Sequence, residues 1–203
     1  MIGDDQGELF KGAGGRPEGM RYQEDVITPA DEAAAVGAMS ELSFEPFDFH
    51  GHLAHRRVVS FGHRYDYSTR QVRGAPPLPP FLKALRERIA DFAGQRAEAF
   101  EQVLINEYRP GAGIGWHRDK PQFEEVVGVS LLAACSLRFR RRDGDRWQRR
   151  QALLKPRSAY LLTGPARHLW EHSILPLDAH RFSITFRTLA ITRRAGPRDV
   201  SGR

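Results

Sequence analysis

Residues 106–119 read NEYRPGAGIGWHRD, a stretch in which polar side chains stand on either side of a glycine-rich turn. Side chains two positions apart on a strand point the same way, so Asn106 and Tyr108 share one face, as do His117 and Asp119. Turn geometry alone explains the glycines between the two pairs. An imidazole beside a carboxylate suits a metal ion, although a hydrogen bond at the surface would explain His117 and Asp119 equally well.

The chain around this stretch alternates between apolar and polar residues. From residue 101 onward the alternation appears in short runs such as VVGVSLL, SAYLLTG and RFSITFRTL, which is typical of antiparallel strands. Asp143-Gly144 between two of these runs predicts a hairpin turn. Upstream, a hydroxyl cap followed by Pro predicts a helix over about 29–42, and a second apolar-periodic helix is expected to end at Gly94. About eight strands after two helices predict an α+β fold, a sandwich or barrel with helices on one side.

A third candidate metal ligand follows in RHLWEH, residues 167–172. If this segment is a strand, His168, Trp170 and His172 alternate onto one face. Two imidazoles and one carboxylate on one face of a metal ion leave positions open for oxygen and substrate. His172 is the expected third ligand, and His168 is the alternative.

The last apolar run, RFSITFR at residues 181–187, carries two arginines on a single face with Ser183 and Thr185. If that face lines an enclosed barrel, Arg181 and Arg187 need anionic partners, because an unpaired buried charge is costly. Their separation along the strand suits the two ends of a short dicarboxylate, which a guanidinium binds as a fork. Exposed arginines on an edge strand are the simpler alternative.

Taken in order, NEYRPGAGIGWHRD, LWEH and RFSITFR resemble the AlkB family of iron(II)- and 2-oxoglutarate-dependent dioxygenases. The resemblance covers residues 100–190 closely. It implies a double-stranded β-helix (jelly roll), with Fe(II), O2 and the cosubstrate 2-oxoglutarate as reactants, and oxidative demethylation as the activity. It also implies roles for individual residues: His117, Asp119 and His172 as iron ligands, Arg181 on the distal carboxylate of 2-oxoglutarate, Arg187 near its other end and Asp119, and Asn106 and Tyr108 as hydrogen-bonding partners of the cosubstrate.

The charge of the chain favours an anionic substrate. The formal net charge is +6 and the isoelectric point is about 9.9, and nine basic residues stand against two acidic ones between Arg138 and Arg157. These arginines could neutralise the phosphates of DNA or RNA, although a solvated hairpin would show the same pattern. This charge, taken together with the resemblance to the AlkB family, makes an alkylated nucleobase of DNA or RNA the expected substrate.

A second stretch, FGHRYDYSTRQVR from Phe61, resembles the substrate-recognition lid of the family. The expected substrate-binding residues are Arg64, Tyr65 and Tyr67 of this stretch together with Trp170, although ordinary packing would also account for the aromatic residues. A flipped base would stack between a lid aromatic and the ring of His117. Because Pro121 and Gln122 replace the acidic residues that DNA-repair members carry after the metal-binding Asp, the choice between DNA, RNA and protein stays open.

The organisation expected from the sequence is a single domain over residues 21–190, divided into helices and lid (21–100) and jelly-roll core (101–190). Glycine-rich residues 1–20 and residues 191–203 read as disordered tails. The single Cys135 and the lack of a secretory or membrane-spanning pattern predict a cytoplasmic protein with no membrane contact, and no obligate protein partner is inferred.

Two other functions fit the same residues. An oxygenase with this core could act on a protein or a small molecule, and a jelly roll that binds nucleic acid without catalysis could retain the same side chains. Salt-dependent binding of oligonucleotides would separate the first alternative from the expected function, and succinate formation would exclude the second.

Overall fold

The computed structural model describes residues 15–49, 52–66 and 68–190. Within these ranges the elements follow in this order: β1 (Met20–Gln23), α1 (Pro29–Ser40), β2 (Glu45–Phe49), β3 (His52–Phe61), β4 (His63–Asp66), β5 (Gln71–Gly74), α2 (Pro80–Ala93), a 3-10 turn (Ala97–Ala99), β6 (Phe100–Tyr108), β7 (Ile114–His117), β8 (Phe123–Leu131), β9 (Cys135–Asp143), β10 (Arg146–Leu154), β11 (Ala159–Leu162), α3 (Gly164–His168), β12 (Glu171–Ile174) and β13 (Arg181–Leu189).

The alternating runs of the sequence pair into two antiparallel sheets. The larger has seven strands in the order β1-β11-β8-β13-β6-β3-β2, and the smaller has four in the order β10-β9-β12-β7. Strands β4 and β5 form a separate hairpin. The eight strands from Phe100 onward build the core of a double-stranded β-helix, which confirms the predicted fold. The predicted hairpin at Asp143-Gly144 joins β9 to β10.

The two sheets face each other across an apolar core. Side chains from both sheets belong to one cluster, which includes Tyr108, Val126 and Leu162 of the larger sheet and Leu137, Phe139 and Leu154 of the smaller. Strand β13 lies inside the larger sheet between β8 and β6. Its inward-facing side chains are therefore enclosed by strands on both sides, which excludes the edge-strand alternative for Arg181 and Arg187.

The two predicted helices cover the outer face of the larger sheet. Helix α1 begins at Pro29 with a capping box in which the Asp31 amide donates to Thr28 Oγ1 at 3.1 Å, and it ends at Ser40. Helix α2 ends where Gly94 adopts a left-handed conformation with φ +72°. Its Leu82 and Ile89 are fully buried against the sheet, and each such side chain contributes about 1.5–3 kcal/mol relative to an exposed one.

The N-terminal half holds more strands than the sequence suggested. Strands β1, β2 and β3 extend the larger sheet, and β1 starts at Met20, inside the segment predicted as a tail. Residues 15–19 of the predicted tail are also described, whereas its residues 1–14 and the predicted tail 191–203 lie outside the described residues. None of the helices in the described ranges has the length and apolarity needed to cross a membrane.

Candidate active site

A cavity opens between the two sheets and is lined by many of the polar side chains that the sequence singled out, although Arg181 is not among the lining residues. From the larger sheet come Asn106 and Tyr108 of β6 and Ser183, Thr185 and Arg187 of β13. The smaller sheet and the loop after β7 contribute His117, His172 and Asp119. The opposite face of β13, formed by Phe182, Ile184 and Phe186, lies in the core beneath the helices, so the predicted alternation along RFSITFR is confirmed.

The two histidines meet because β7 and β12 are neighbouring antiparallel strands. His117 and His172 are partners in the register, and their ring centroids are 4.3 Å apart. Asp119 stands two residues beyond the end of β7, not on the strand as expected, and its Oδ2 is 3.6 Å from His172 Nε2. Across the described residues no group of three or more His, Cys, Asp or Glu side chains is spaced so that it could hold a metal ion. His117, His172 and Asp119 thus lie close together, but their arrangement in this structure does not itself form a metal site.

The protonation states of these groups suit metal binding. His117 Nδ1 lies 2.9 Å from the carbonyl of Gly115, which can only accept, so Nδ1 carries the proton and Nε2 keeps its lone pair. Burial lowers the pKa of His117, against the attraction of Asp119. Burial, helped by the neighbouring His117, lowers the pKa of His172 to about 3. Both imidazoles are therefore neutral at neutral pH, which is the form that binds metals.

Arg187 holds the carboxylate of Asp119. Its Nε donates to Asp119 Oδ1 at 2.9 Å and its Nη2 lies 2.8 Å from the same oxygen, while Nη1 donates to Gln102 Oε1 at 2.8 Å. Burial alone would raise the pKa of Asp119, but the positive charge of Arg187 and the adjacent imidazoles outweigh it and leave the pKa well below its ordinary value. Asp119 is therefore an anion with Oδ2 turned toward His172.

Arg181 is the largest fully buried side chain in the described structure. Its Nε donates to Ser130 Oγ at 3.1 Å, and its guanidinium carbon lies 5.0 Å from the ring centre of Tyr108. Its two terminal nitrogens, Nη1 and Nη2, have no hydrogen-bond partner among the described residues. A buried guanidinium with two free donors side by side is matched by the two oxygens of a carboxylate, so the residues present fit an acidic ligand.

Several residues of this site were not found from the sequence. Arg56 on β3 lines the cavity and donates from Nη1 to Asn106 Oδ1 at 2.8 Å. The ring of Tyr160 lines it from β11 and lies against Gly128, where a Cβ would stand 2.3 Å from the ring. Arg167 Nη2 donates to the carbonyl oxygens of Lys120 and Phe123 at 2.7 and 2.6 Å, and so holds the loop that carries Asp119.

The prediction for RHLWEH was partly wrong. Gly164-Pro165 begins a short helix, α3, so His168 does not alternate with His172 on a strand. His168 is exposed and its Nε2 lies 2.9 Å from Glu124 Oε1. Trp170 is buried in the core between the sheets with its ring centre 4.9 Å from the Arg141 guanidinium carbon, and it is not among the described residues that line the cavity.

The predicted lid forms the β4–β5 hairpin. Tyr65 on β4 lies beside the loop that carries Asp119, because Lys120 Nζ, one residue after Asp119, is 5.4 Å from the centre of its ring. Arg64 is exposed on the same strand. Tyr67 lies outside the described residues. Tyr65 is thus the lid aromatic that the structure brings near the cavity.

A double-stranded β-helix that encloses two imidazoles, a carboxylate and an unpaired guanidinium is typical of a metal-dependent enzyme that also takes an acidic cosubstrate. Comparison with known proteins agrees. The sequence profile of the 2OG-Fe(II) oxygenase superfamily matches residues 23–187. The chain therefore belongs to the 2OG-Fe(II) oxygenase superfamily, and the relatives it resembles support the AlkB-family resemblance.

Two relatives and one solved structure illustrate the similarity. The mouse protein named tRNA (carboxymethyluridine(34)-5-O)-methyltransferase ALKBH8 is 30% identical over 195 residues, which cover 92% of this chain and 29% of that protein. The alpha-ketoglutarate-dependent dioxygenase AlkB of Salmonella typhimurium is 29% identical over 145 residues, 63% of this chain and 65% of AlkB. The chain thus spans less than a third of the mouse relative. The structure of OsALKBH1 has a TM-score of 0.66 at 18% identity, covers 85% of this chain and 97% of that chain, and supports the fold alone.

Proposed function

We propose that this chain is an Fe(II)/2-oxoglutarate-dependent dioxygenase that oxidatively demethylates alkylated nucleobases in DNA or RNA. The observation that carries the proposal is the unpaired guanidinium of Arg181, buried in the same barrel as the convergent His117, Asp119 and His172. An enzyme of this type needs one site for a metal and one for a dicarboxylate, and the interior of the barrel offers both donor sets.

His117, Asp119 and His172 would hold the iron. The set supplies two neutral nitrogen donors and one anionic oxygen donor, which suits Fe(II) and leaves positions open. When bound, iron with 2-oxoglutarate and O2 supplies oxidation of a substrate C–H bond, and 2-oxoglutarate loses CO2 to become succinate. Arg187 keeps Asp119 ionised and oriented through its two contacts to Oδ1. The hydrogen bond from His117 Nδ1 to Gly115 fixes which ring nitrogen faces the cavity.

Arg181 would bind the distal carboxylate of 2-oxoglutarate through Nη1 and Nη2. Asn106 and Tyr108, which line the cavity from β6, would hydrogen-bond the cosubstrate, and the bond from Arg56 Nη1 fixes which way the Asn106 amide points. Apolar side chains of both sheets, Leu104, Val126, Leu137 and Ile174, also line the cavity and would exclude water. The protein thereby orients the keto acid and shields the reacting atoms.

Positive charge and the β4–β5 hairpin support a nucleobase substrate. Tyr65, which lies near the loop that carries Asp119, would stack on a base that reaches the cavity, and Arg64 is exposed beside it. If the oxidised carbon is a methyl group on nitrogen, its hydroxylated product releases formaldehyde and restores the N–H group. Trp170 would act on the substrate only indirectly, because its ring lies in the core.

We further propose a cytoplasmic location and no obligate protein partner.

The test is a turnover assay with the purified chain. With Fe(II), ascorbate and 2-oxoglutarate we expect succinate, and with methylated DNA, tRNA and peptides we expect mass spectrometry to detect loss of a methyl group from nucleic acid. Gain of oxygen or loss of methyl on peptides alone would establish a protein oxygenase instead. Binding of nucleic acid with no succinate under any condition would leave a non-catalytic jelly roll.

A further inference from the structure

The outer face of the four-stranded sheet carries a stack of alternating guanidinium groups and indole rings. The guanidinium carbons of Arg138 and Arg140 lie 4.9 and 4.6 Å from the ring centre of Trp116. Those of Arg140 and Arg142 lie 4.4 and 4.7 Å from the ring centre of Trp147. Arg140 is thus sandwiched between two indoles. We call these five residues the arginine–tryptophan ladder.

The pleat of the sheet turns the ladder away from the cavity. On β9 the ladder arginines alternate with Leu137 and Phe139, whose side chains are buried between the sheets. Trp147 on β10 lies opposite Arg142 of β9 in the strand register. Trp116 precedes His117, whose ring lines the cavity. The ladder and the candidate metal site therefore stand back to back on the same four strands.

Stacking uses the flat faces of a guanidinium and leaves its N–H edges available. Arg140 donates from Nε to Glu171 Oε2 at 2.6 Å, and Arg142 donates from Nη1 to the Asp145 carbonyl at 3.3 Å. Arg138 makes no hydrogen bond or ion pair to any residue that the structure describes. All three side chains are partly or fully exposed. The ladder therefore holds guanidinium groups in fixed orientation with donors still directed to solvent.

The partner that matches this surface is a chain of regularly spaced anions. Arginines two positions apart on β9 are separated by about 6.6 Å, a spacing similar to that of successive phosphates on an extended nucleic-acid strand. A concave surface beside the ladder is lined by Arg118 and Arg141 in addition to Arg140 and Arg142, against two acidic residues, Asp143 and Glu171. Arginine forks bind phosphate oxygens in this way.

We propose that the arginine–tryptophan ladder is a docking site for the phosphates of a single nucleic-acid strand, separate from the catalytic cavity. The inference goes beyond the proposed function, since docking on this face requires neither iron nor 2-oxoglutarate. A strand held there would keep a polymeric substrate on the enzyme while the cavity samples its bases.

The test measures binding to the full chain without metal or cosubstrate, by fluorescence anisotropy of a labelled single-stranded oligonucleotide. The double variant Arg138→Gln/Arg142→Gln is expected to bind about tenfold more weakly and to lower the salt slope of log K by about 1.4, from about 0.7 per phosphate contact. The matched control Lys83→Gln/Arg96→Gln removes the same charge from exposed positions on and after α2. Equal loss in both double variants would overturn the proposal.

A second double variant separates the effect of the planar guanidinium groups on binding from the effect of net charge. Arg138→Lys/Arg142→Lys keeps both charges but removes the planar groups, so we expect affinity between that of the wild type and that of the Gln variant. Affinity equal to the wild type would overturn the role of the ladder. Binding of polyglutamate as strongly as the oligonucleotide would also overturn it in favour of an acidic protein partner. Circular dichroism melting of each variant verifies folding.

The outcome can be distinguished from that of the proposed function. Succinate formation by the wild type is measured in separate reactions, without nucleic acid. Loss of oligonucleotide binding in the ladder variant, combined with no succinate from the wild type, would support docking and refute the oxygenase. Succinate formation by the wild type, combined with oligonucleotide binding that the ladder variant leaves unchanged, would support the oxygenase and refute docking on the ladder.

Discussion

The two faces of the four-stranded sheet place charged and aromatic residues in opposite environments. On the inner face, next to Trp116 and Glu171 in the chain, His117 and His172 lie together with Asp119 in the cavity. On the outer face, Trp116 and Glu171 hold ladder arginines that remain partly exposed to solvent. Residues adjacent in the chain, such as Trp116 and His117, thus lie on opposite faces of the sheet, one beside the ladder arginines and the other in the cavity.

The difference between the two faces shows how burial determines the energetic effect of a charge. Inside, desolvation lowers the pKa of His172 and keeps its ring neutral, whereas Asp119 stays ionised because Arg187 and the adjacent imidazoles outweigh the cost of its burial. Outside, water screens each guanidinium, so one ion pair such as Arg140–Glu171 contributes little to stability. Single substitutions inside should therefore have large effects, whereas the outer face should respond only to several changes together.

The largest expected effect is at His117. His117→Ala removes one of three donors to the proposed iron, and we expect succinate formation to fall to the background of the metal-free protein. The matched control is Gln151→Ala, which changes an exposed residue on the outer face of the same sheet and should retain turnover within about twofold. Enzymatic succinate assay is the measurement, and turnover that survives His117→Ala would remove the iron assignment.

Arg181 should show two effects of opposite sign. Arg181→Met removes a buried charge with two unpaired donors, so the protein without 2-oxoglutarate should become more stable by about 1 kcal/mol, which is about 2–4 °C in Tm for a chain of this size. The same change should abolish the stabilisation of the wild type by 2-oxoglutarate. Differential scanning fluorimetry with and without the keto acid measures both.

The partly exposed Arg138 is the comparison for Arg181. Arg138→Met should change Tm by less than about 1 °C, because its guanidinium is already in contact with water. A loss of stability in Arg181→Met together with retained stabilisation by 2-oxoglutarate would mean that Arg181 supports the fold and not a ligand.

The pH dependence of unfolding should report on His172. Its folded pKa of about 3 lies below the value of about 6.5 for a free histidine, so the unfolded chain takes up the proton first. The metal-free protein should therefore lose stability as pH falls below 6.5, by up to about 1.4 kcal/mol per pH unit from this residue. Urea unfolding of wild type and His172→Gln from pH 8 to pH 4 tests it; curves that stay parallel would contradict the shift.

The last expected effect concerns substrate binding at the lid. Tyr65→Ala removes the aromatic ring proposed to stack on a base, so KM for a methylated oligonucleotide should rise about tenfold while kcat changes less. Tyr65→Phe keeps the ring and should restore KM. Steady-state kinetics on the same oligonucleotide decide between stacking and packing, since a purely structural Tyr65 would lower kcat and leave KM unaltered.

Local patterns of the sequence predicted one part of the site well. The alternation in RFSITFR assigned the inner and outer faces of β13, because a strand repeats every two residues whatever its partners are. The same reasoning failed at His168, since Gly164-Pro165 begins a helix and interrupts the alternation. A Pro at the start of a helix is visible in the sequence, and it predicts that the segment around His168 is not a strand.

Other features depend on pairing between distant segments and are invisible to local patterns. Arg56 reaches Asn106 because β3 pairs with β6, 50 residues further along the chain. Tyr160 enters the cavity because Gly128 on the neighbouring strand leaves room for its ring. The ladder likewise needs β7, β9 and β10 in one sheet, so the sequence could show its arginines but not their stacking.

The most direct measurement of the central claim is calorimetric titration of 2-oxoglutarate into the protein with and without Mn(II), a redox-inactive substitute for iron. If His117, Asp119 and His172 hold the metal beside a keto acid clamped by Arg181, the metal should tighten binding of 2-oxoglutarate at least tenfold, and glutarate, which lacks the keto group, should gain nothing. Equal affinity for 2-oxoglutarate in the presence and absence of Mn(II) would contradict the account.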